Sequence, residues 1–313
     1  MKKIVTALVC VFYFFTGHAQ QDPQFSLNMF NNPAINPAAA GMENGVSASA
    51  LIREQWLSYP GKPSTQVFNI NSAIPWSIQN FGAGLTIMQD QLGFSKNTLL
   101  DLSIAPQFKV GEGTLGVGIG LGFNNQAFSN VEWITAGGQL PSNDPLIPKD
   151  ESVMAFDLSA GAFFQHSNFW AGISARHLNS PKLSFNDNYT SFLAPTMYFS
   201  GGYHWQLPNP LFELTPSVLL KSDLTVLQAD FTATLEYDKR FWGGVTYRLE
   251  DAYVAMFGIN LVNGISLGFA WDFPASDIGT YAAGSVEFFG RYIFDLGLKS
   301  GKTRQGSIFR RDR

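Results

Sequence analysis

Gly264-Ile265-Ser266-Leu267-Gly268 has the G-x-S-x-G spacing of a nucleophile elbow, where a sharp strand-to-helix turn exposes a serine for acyl transfer. Here the serine falls inside a strand-like run, directly after the hairpin signal Asn263-Gly264, and no helical pattern follows. The spacing is coincidental. Gly116, Gly118, Gly120 and Gly122 recur at every second position with no helix behind them, unlike a dinucleotide fingerprint. Beyond the first twenty residues the histidines are His166, His177 and His204, and none is spaced to share a metal with another. The only cysteine is Cys10. No triad, metal set or phosphate loop can be assembled, so the chain is expected not to be an enzyme and to use no cofactor.

The same glycines point to the element that carries them. In Thr114–Phe123 they alternate with Leu115, Val117, Ile119, Leu121 and Phe123. Strict period two makes this a strand with one apolar and one nearly bare face. Glycine weakens a strand in water. A closed barrel in lipid supports it, because every backbone group must pair where no water is available.

Composition agrees. The chain has 313 residues, with 30 Gly and 28 Phe, and only 14% are charged, against roughly 25% in soluble domains. No run after residue 20 has the ~18 apolar positions of a spanning helix. Residues 1–19 read as a secretory leader: Lys2 and Lys3, the apolar run Ile4–Phe15, then Gly17-His18-Ala19 as a cleavage site. Cleavage removes Cys10 and leaves 18 of the 20 Lys+Arg against 24 Asp+Glu. A mildly acidic chain is not expected to bind nucleic acid.

About fourteen strand-length segments follow, from Gly45–Glu54 to Gly284–Phe294, including Phe81–Gln89, Thr98–Phe108, Thr114–Asn124 and Val153–Gln165. Many alternate cleanly. Leu100, Leu102 and Ile104 oppose Asp101 and Ser103; Phe231 and Leu235 oppose Asp230 and Glu236. Links after even-numbered strands are short, such as His166–Asn168. Most after odd-numbered strands are longer, such as Gln55–Ser64, Asp90–Asn97, Asn125–Ser152 and Leu178–Ala194. Short periplasmic turns and longer outer loops are the asymmetry of bacterial outer-membrane barrels. The fold class is therefore an all-β, transmembrane, antiparallel up-and-down barrel of outer-membrane type, with both termini expected in the periplasm. The expected division is leader 1–19, amino-terminal periplasmic or luminal segment 20–44, barrel 45–298 and basic periplasmic tail 299–313.

Three groups of residues are candidates for function. The stretch before the first strand is too apolar for a free tail, and Phe25, Met29, Phe30, Asn31, Pro33, Asn36, Pro37 and Gly41 are expected to dock as a plug-like segment in the lumen or its periplasmic mouth. Arg53, Gln55 and Trp56, at the outer end of the first strand, are expected outer-loop binding residues. Gly118 and Gly120, with Asp230, Arg248, Glu287 and Arg291, are expected to line the lumen, the charges pairing across it. By phase, Trp170 and Trp242 point inward, against the aromatic pattern of the other strand ends. A bulge that re-aims them or contact with a plug would explain this.

Gln21-Asp22-Pro23-Gln24-Phe25-Ser26, Met29-Phe30-Asn31, Ile35-Asn36-Pro37-Ala38 and Gly41 resemble the opening of the PorP/SprF family. Arg53, Gln55 and Trp56, then Gln228-Ala229-Asp230, Phe241-Trp242-Gly243-Gly244-Val245, Tyr247-Arg248 and Gly284-Ser285-Val286-Glu287 extend the resemblance over nearly the whole mature chain. Ala39 and Val286 depart from it, where the family often has an aromatic and a histidine. The resemblance implies a cell outer-membrane barrel of Bacteroidetes tied to type IX secretion. Its implied partners are type IX secretion components, a large secreted adhesin-like protein and a periplasmic OmpA-like peptidoglycan-binding protein, within outer-membrane lipid. The implied role is export and surface retention of the secreted protein, in some cases for gliding. The alternative is a FadL-like transport barrel for hydrophobic solutes, which has a similar strand number and predicts an apolar luminal pocket.

Overall fold

The computed structural model describes residues 22–43, 45–75, 80–128, 151–186 and 189–294. The expected leader with Cys10, most of the loop Asn125–Ser152 and the tail Lys299–Arg313 lie outside the described residues.

Fourteen strands form one antiparallel sheet that closes on itself. They are β1 (Val46–Glu54), β2 (Ser64–Ile74), β3 (Phe81–Leu92), β4 (Ser95–Val110), β5 (Gly113–Phe128), β6 (Glu151–Gln165) and β7 (Phe169–Arg176), followed by β8 (Thr196–Tyr203), β9 (Phe212–Ser222), β10 (Leu227–Tyr237), β11 (Phe241–Arg248), β12 (Ala252–Asn260), β13 (Ile265–Pro274) and β14 (Ser285–Phe294). A two-residue stretch, Trp205–Gln206, continues β8 along β9. Each strand pairs with its neighbours in the chain. β1 closes the barrel on β14, from Val46↔Phe294 to Glu54↔Val286.

Period two sets the faces. Leu102, Ile104, Val117 and Ile119 are about half exposed on the outside, while Asp101, Ser103 and Gln107 are buried inside. An apolar belt of this extent is covered by lipid. Phe169, Trp205, Tyr237, Phe241 and Tyr292 stand on the outer face at the short-turn end, and Tyr253, Trp271 and Phe273 at the other. Trp170 and Trp242 are buried and point inward, as their phase predicts, and no bulge re-aims them. Each lies over glycine: Trp170 over Gly202, Trp242 over Gly258 and Gly268.

The structure corrects the expected links at the long-loop end. The stretch Asp90–Asn97 is not a loop. β3 and β4 run on as a hairpin that turns at Gly93-Phe94, with Leu92 opposite Ser95. β5 and β6 also continue, pairing as far as Phe128↔Glu151. A spanning strand needs ~9–11 residues; β4 and β5 have 16 each. Their tops therefore stand above the lipid, where no alternation is imposed. Within Leu178–Ala194 a small hairpin forms from Lys182–Asn186 and Tyr189–Phe192, and Phe185 packs on Phe128 of β5.

The core is the lumen. Phe25, Leu27, Met29, Phe30 and Ala34 of the amino-terminal segment form one buried apolar cluster with inward residues such as Leu51, Val67, Met88, Trp242 and Phe289.

Candidate functional site

Residues 22–43 contain three short helical turns, Asn28–Phe30, Asn32–Ile35 and Pro37–Ala39. The sequence sets them. Pro33 and Pro37 fall in the first turns of the second and third, where a missing N–H costs nothing. Asn36 caps the third, its Oδ1 accepting from Ala38 N at 3.0 Å. So compact a segment still carries backbone groups that need partners, and the barrel wall supplies them at four stations.

The first station is at the long-loop end, not at the short-turn end where the amino-terminal side was expected. Asp22 meets His177 Nε2 at 2.7 Å, and Tyr198 Oη donates to it at 2.7 Å. Arg176 is 3.8 Å away, and Lys221 Nζ donates to the Asp22 carbonyl. The far nitrogen of His177 lies 2.9 Å from Asp157. Burial opposes charge on Asp22, but His177 and Arg176 outweigh it and hold the carboxyl below the usual carboxylate range. Burial likewise opposes charge on His177, yet Asp22, with Asp157 behind it, pushes its pKa up to about 9.

The second station is a buried ion network. Arg53 on β1 donates to Asp272 at 2.7 Å and to Glu287 at 3.0 Å. Arg248 on β11 donates to Asp272 at 2.8 Å and to Asp230 at 3.2 Å. Asp251 at the rim also lies 3.7 Å from Arg248, so carboxylates outnumber guanidiniums and net negative charge remains. The segment meets it: Ser26 N and Leu27 N donate to the two oxygens of Glu287 at 2.9 and 2.8 Å. The Ser26 hydroxyl donates to Asp272 at 2.7 Å and accepts from both arginines, at 2.8 and 3.1 Å. Gln24 donates to Asp230 at 3.1 Å.

The third station is the glycine face. A Cβ on Gly118 would sit 2.5 Å from Ala38 N, one on Gly116 2.5 Å from Ala38 O, and one on Gly82 1.8 Å from Ala40 O. The backbone of the segment lies where side chains would otherwise be. Around this seat Asn36 Nδ2 donates to Ala162 O, Ser174 donates to Ile35 O at 2.7 Å, and Arg176 donates to Ala34 O at 3.1 Å. The fourth station is at the short-turn end. Asn71 accepts from Gly41 N at 3.0 Å, Gln107 donates to Gly41 O at 2.9 Å, and Arg291 pairs with Glu43.

The structure therefore brings most sequence candidates together. Phe25, Met29, Asn31, Asn36, Pro37 and Gly41 are buried, Pro33 is half-buried, and Phe30 rests 4.7 Å from Trp242 and 5.2 Å from Phe289. Asp230, Arg248, Glu287 and Arg291 face inward. Two placements are corrected. Arg53 is not an outer-loop residue; it is 1% exposed at the centre of the network. Only Gln55 and Trp56 remain at the rim, half-buried, with Trp56 against Tyr59. Gly120 does not touch the segment; the space over it holds Asp101 and Ser159. No motif marks Asp272, Lys221 or Gly82, and Ser26, His177 and Gly116 are not among the sequence's site candidates. For Asp272, the inward phase between Trp271 and Phe273 was the available signal.

At the second station the Ser26 hydroxyl donates to a carboxylate that two guanidiniums already hold, which makes it a poor base. Ser266 is buried inside β13, so the elbow geometry is absent. Among the described residues no group of His, Cys, Asp and Glu is placed to hold a metal. A cavity of about 30 Å³ lies toward the short-turn end, between Phe30, Trp170, His204, Glu213, Glu236 and Trp242. That is room for a water or two, with a mixed polar lining.

A closed antiparallel barrel with an apolar outer belt, two aromatic girdles and a charged lumen is an outer-membrane barrel. The chain belongs to the PorP/SprF family, described as type IX secretion system membrane proteins, whose model matches residues 17–292. That family is one of membrane barrels rather than enzymes. No curated protein matches the chain. Among solved structures it is similar to the Acinetobacter baumannii outer membrane protein Omp33, at 8% identity and TM-score 0.45, covering 81% of this chain and 100% of that one. It is also similar to the translocator domain of autotransporter NalP from Neisseria meningitidis, at 12% identity and TM-score 0.44, covering 86% and 96%.

Proposed function

We propose that this barrel serves type IX secretion as the outer-membrane partner of a secreted protein, supporting its export and its retention at the cell surface. The expected client is a large adhesin-like protein, of the kind used in gliding. It is held at the long-loop rim, where Gln55 and Trp56 remain available. The short turns and the basic tail 299–313 face periplasmic components, an OmpA-like peptidoglycan-binding protein among them.

The observation that carries this reading is the lumen. Glu287 binds two successive backbone N–H groups of the segment, at Ser26 and Leu27. We read residues 22–43 as a plug held by that network. An interior committed to its own chain suits a fixed wall whose work is done at its ends. The FadL-like reading calls instead for an apolar pocket the size of a lipid chain.

Deletion of the gene tests the proposal. Loss of one large surface protein with solute uptake unchanged supports it. Normal surface display with impaired uptake of a hydrophobic solute overturns it. A large repetitive adhesin gene beside this one would mark a dedicated partner, and its absence a core component.

A further inference from the structure

We infer that the amino terminus of the processed chain is presented at the long-loop end of the barrel, having reached it through the lumen. The stations give the direction. Asp22 lies among His177, Tyr198 and Lys221, which end β7, open β8 and end β9 at the long-loop side. Ser26 lies among Arg53, Asp272 and Glu287, also near that end. Gly41 and Glu43 meet Asn71, Gln107 and Arg291, near the short turns. The chain descends from Asp22 to Glu43, reverses at Gly45 and rises again as β1. Gly45 has φ +90°, and a Cβ there would lie 2.6 Å from Phe294 O.

Length decides the matter. With a leader ending at Ala19, only Gln20 and Gln21 precede Asp22. Two extended residues reach at most about 7 Å. The apolar band of an outer-membrane barrel is ~25 Å tall. A terminus two residues from Asp22 cannot return to the short-turn side. The segment is thus a continuous link between the two faces of the membrane, and a molecule bound at the long-loop face meets the end of this chain there. The leader must be removed before the segment takes its place. This rests on the proposed orientation, long loops outward, and the experiment separates the two.

Cleavage removes the only native cysteine, so single cysteines report position cleanly. Three variants of the full-length protein, Gln21→Cys, Thr225→Cys at the β9–β10 link and Ser167→Cys at the β6–β7 turn, are labelled with a membrane-impermeant maleimide. Labelling is done in intact cells and after outer-membrane permeabilisation. Gln21→Cys is expected to label like Thr225→Cys, in intact cells, while Ser167→Cys labels only after permeabilisation. If Gln21→Cys instead labels like Ser167→Cys, or in neither preparation, the inference is overturned. If Ser167→Cys is the one labelled in intact cells, the orientation is wrong, and the threading is still judged by which control Gln21→Cys follows. Mass spectrometry of the purified chain is expected to show Gln20 first, and a retained leader overturns the inference.

Discussion

Arg53 and Arg248 donate to the same oxygen of Asp272, at 2.7 and 2.8 Å, from strands ten apart in chain order. Each is 1% exposed. Two guanidiniums converge on one atom because each also holds a second carboxylate, Glu287 or Asp230. The hydroxyl of Ser26 sits between them.

That arrangement makes Arg53 a costly residue to lose. Arg53→Met leaves Asp272 and Glu287 short of a cation in a closed site. Removing one partner of a buried ion network costs about 3–5 kcal/mol. Ser26→Ala keeps the charges paired and removes hydrogen bonds to charged groups, each worth about 1.5–3 kcal/mol. The denaturation midpoint of the purified barrel should fall for both, and further for Arg53→Met. Equal midpoints for Arg53→Met and the native chain would show that the network is not stabilising.

The glycines of β5 should separate by position. Gly118→Leu drives a side chain into Ala38, so the segment must leave its seat. Gly120→Ala presses only on Asp101 and Ser159, side chains that can rotate. Protease sensitivity of residues 22–43 should rise sharply in Gly118→Leu and little in Gly120→Ala, with both barrels still heat-modifiable on gels. Equal protection in both variants would mean that the glycines are merely tolerated.

The outer face of this fold was readable because lipid enforces it. Every outward position in the belt must be apolar, so period two survives in β4, β5 and β10. Two things hid the rest. The tops of β3 to β6 leave the lipid, and Ser95-Lys96-Asn97 or Asn125-Gln126 then read as loop. The lumen is also not uniformly polar. Leu51, Val67, Met88 and Phe289 face inward because an apolar segment lies against them. In β1 the run Ala50-Leu51-Ile52 is therefore apolar on both faces and hides the phase, which is why Arg53 reads as a rim residue. Asp22 could not be placed at all without the distant His177, Tyr198 and Lys221.

The Asp22 station predicts an alkaline limit. The folded pKa of His177 is raised from 6.5 to about 9, so its contribution is complete below about pH 6 and is lost as pH rises through about 9. Asp22 is depressed below its ordinary 3.8, so its contribution is present above about pH 4 and fades only in stronger acid. Both shifts describe one ion pair and are counted once, at about 3 kcal/mol. Protease protection of the segment should hold from about pH 5 to 8 and weaken above about 9. In His177→Gln it should be weaker throughout, with no loss centred near 9. An unchanged alkaline limb in His177→Gln would assign the effect to another group.

Removal of residues 22–43 tests what the segment does for the wall. If the lumen stayed dry, the deletion would strip Glu287 of its two N–H donors and Asn71 Oδ1 of the Gly41 N–H, and the barrel would be weakened. Without the segment, water enters and solvates those groups, and a surface-like ion pair is worth at most about 1 kcal/mol. The strand ladder from β1 to β14 does not involve the segment. The truncated barrel, expressed behind the same leader, should therefore assemble, remain heat-modifiable and conduct ions in planar bilayers, where the full-length protein conducts little. A truncated barrel that assembles but conducts no more than the full chain would show that residues 22–43 do not seal the lumen. Failure to assemble would show that the barrel needs the segment to close.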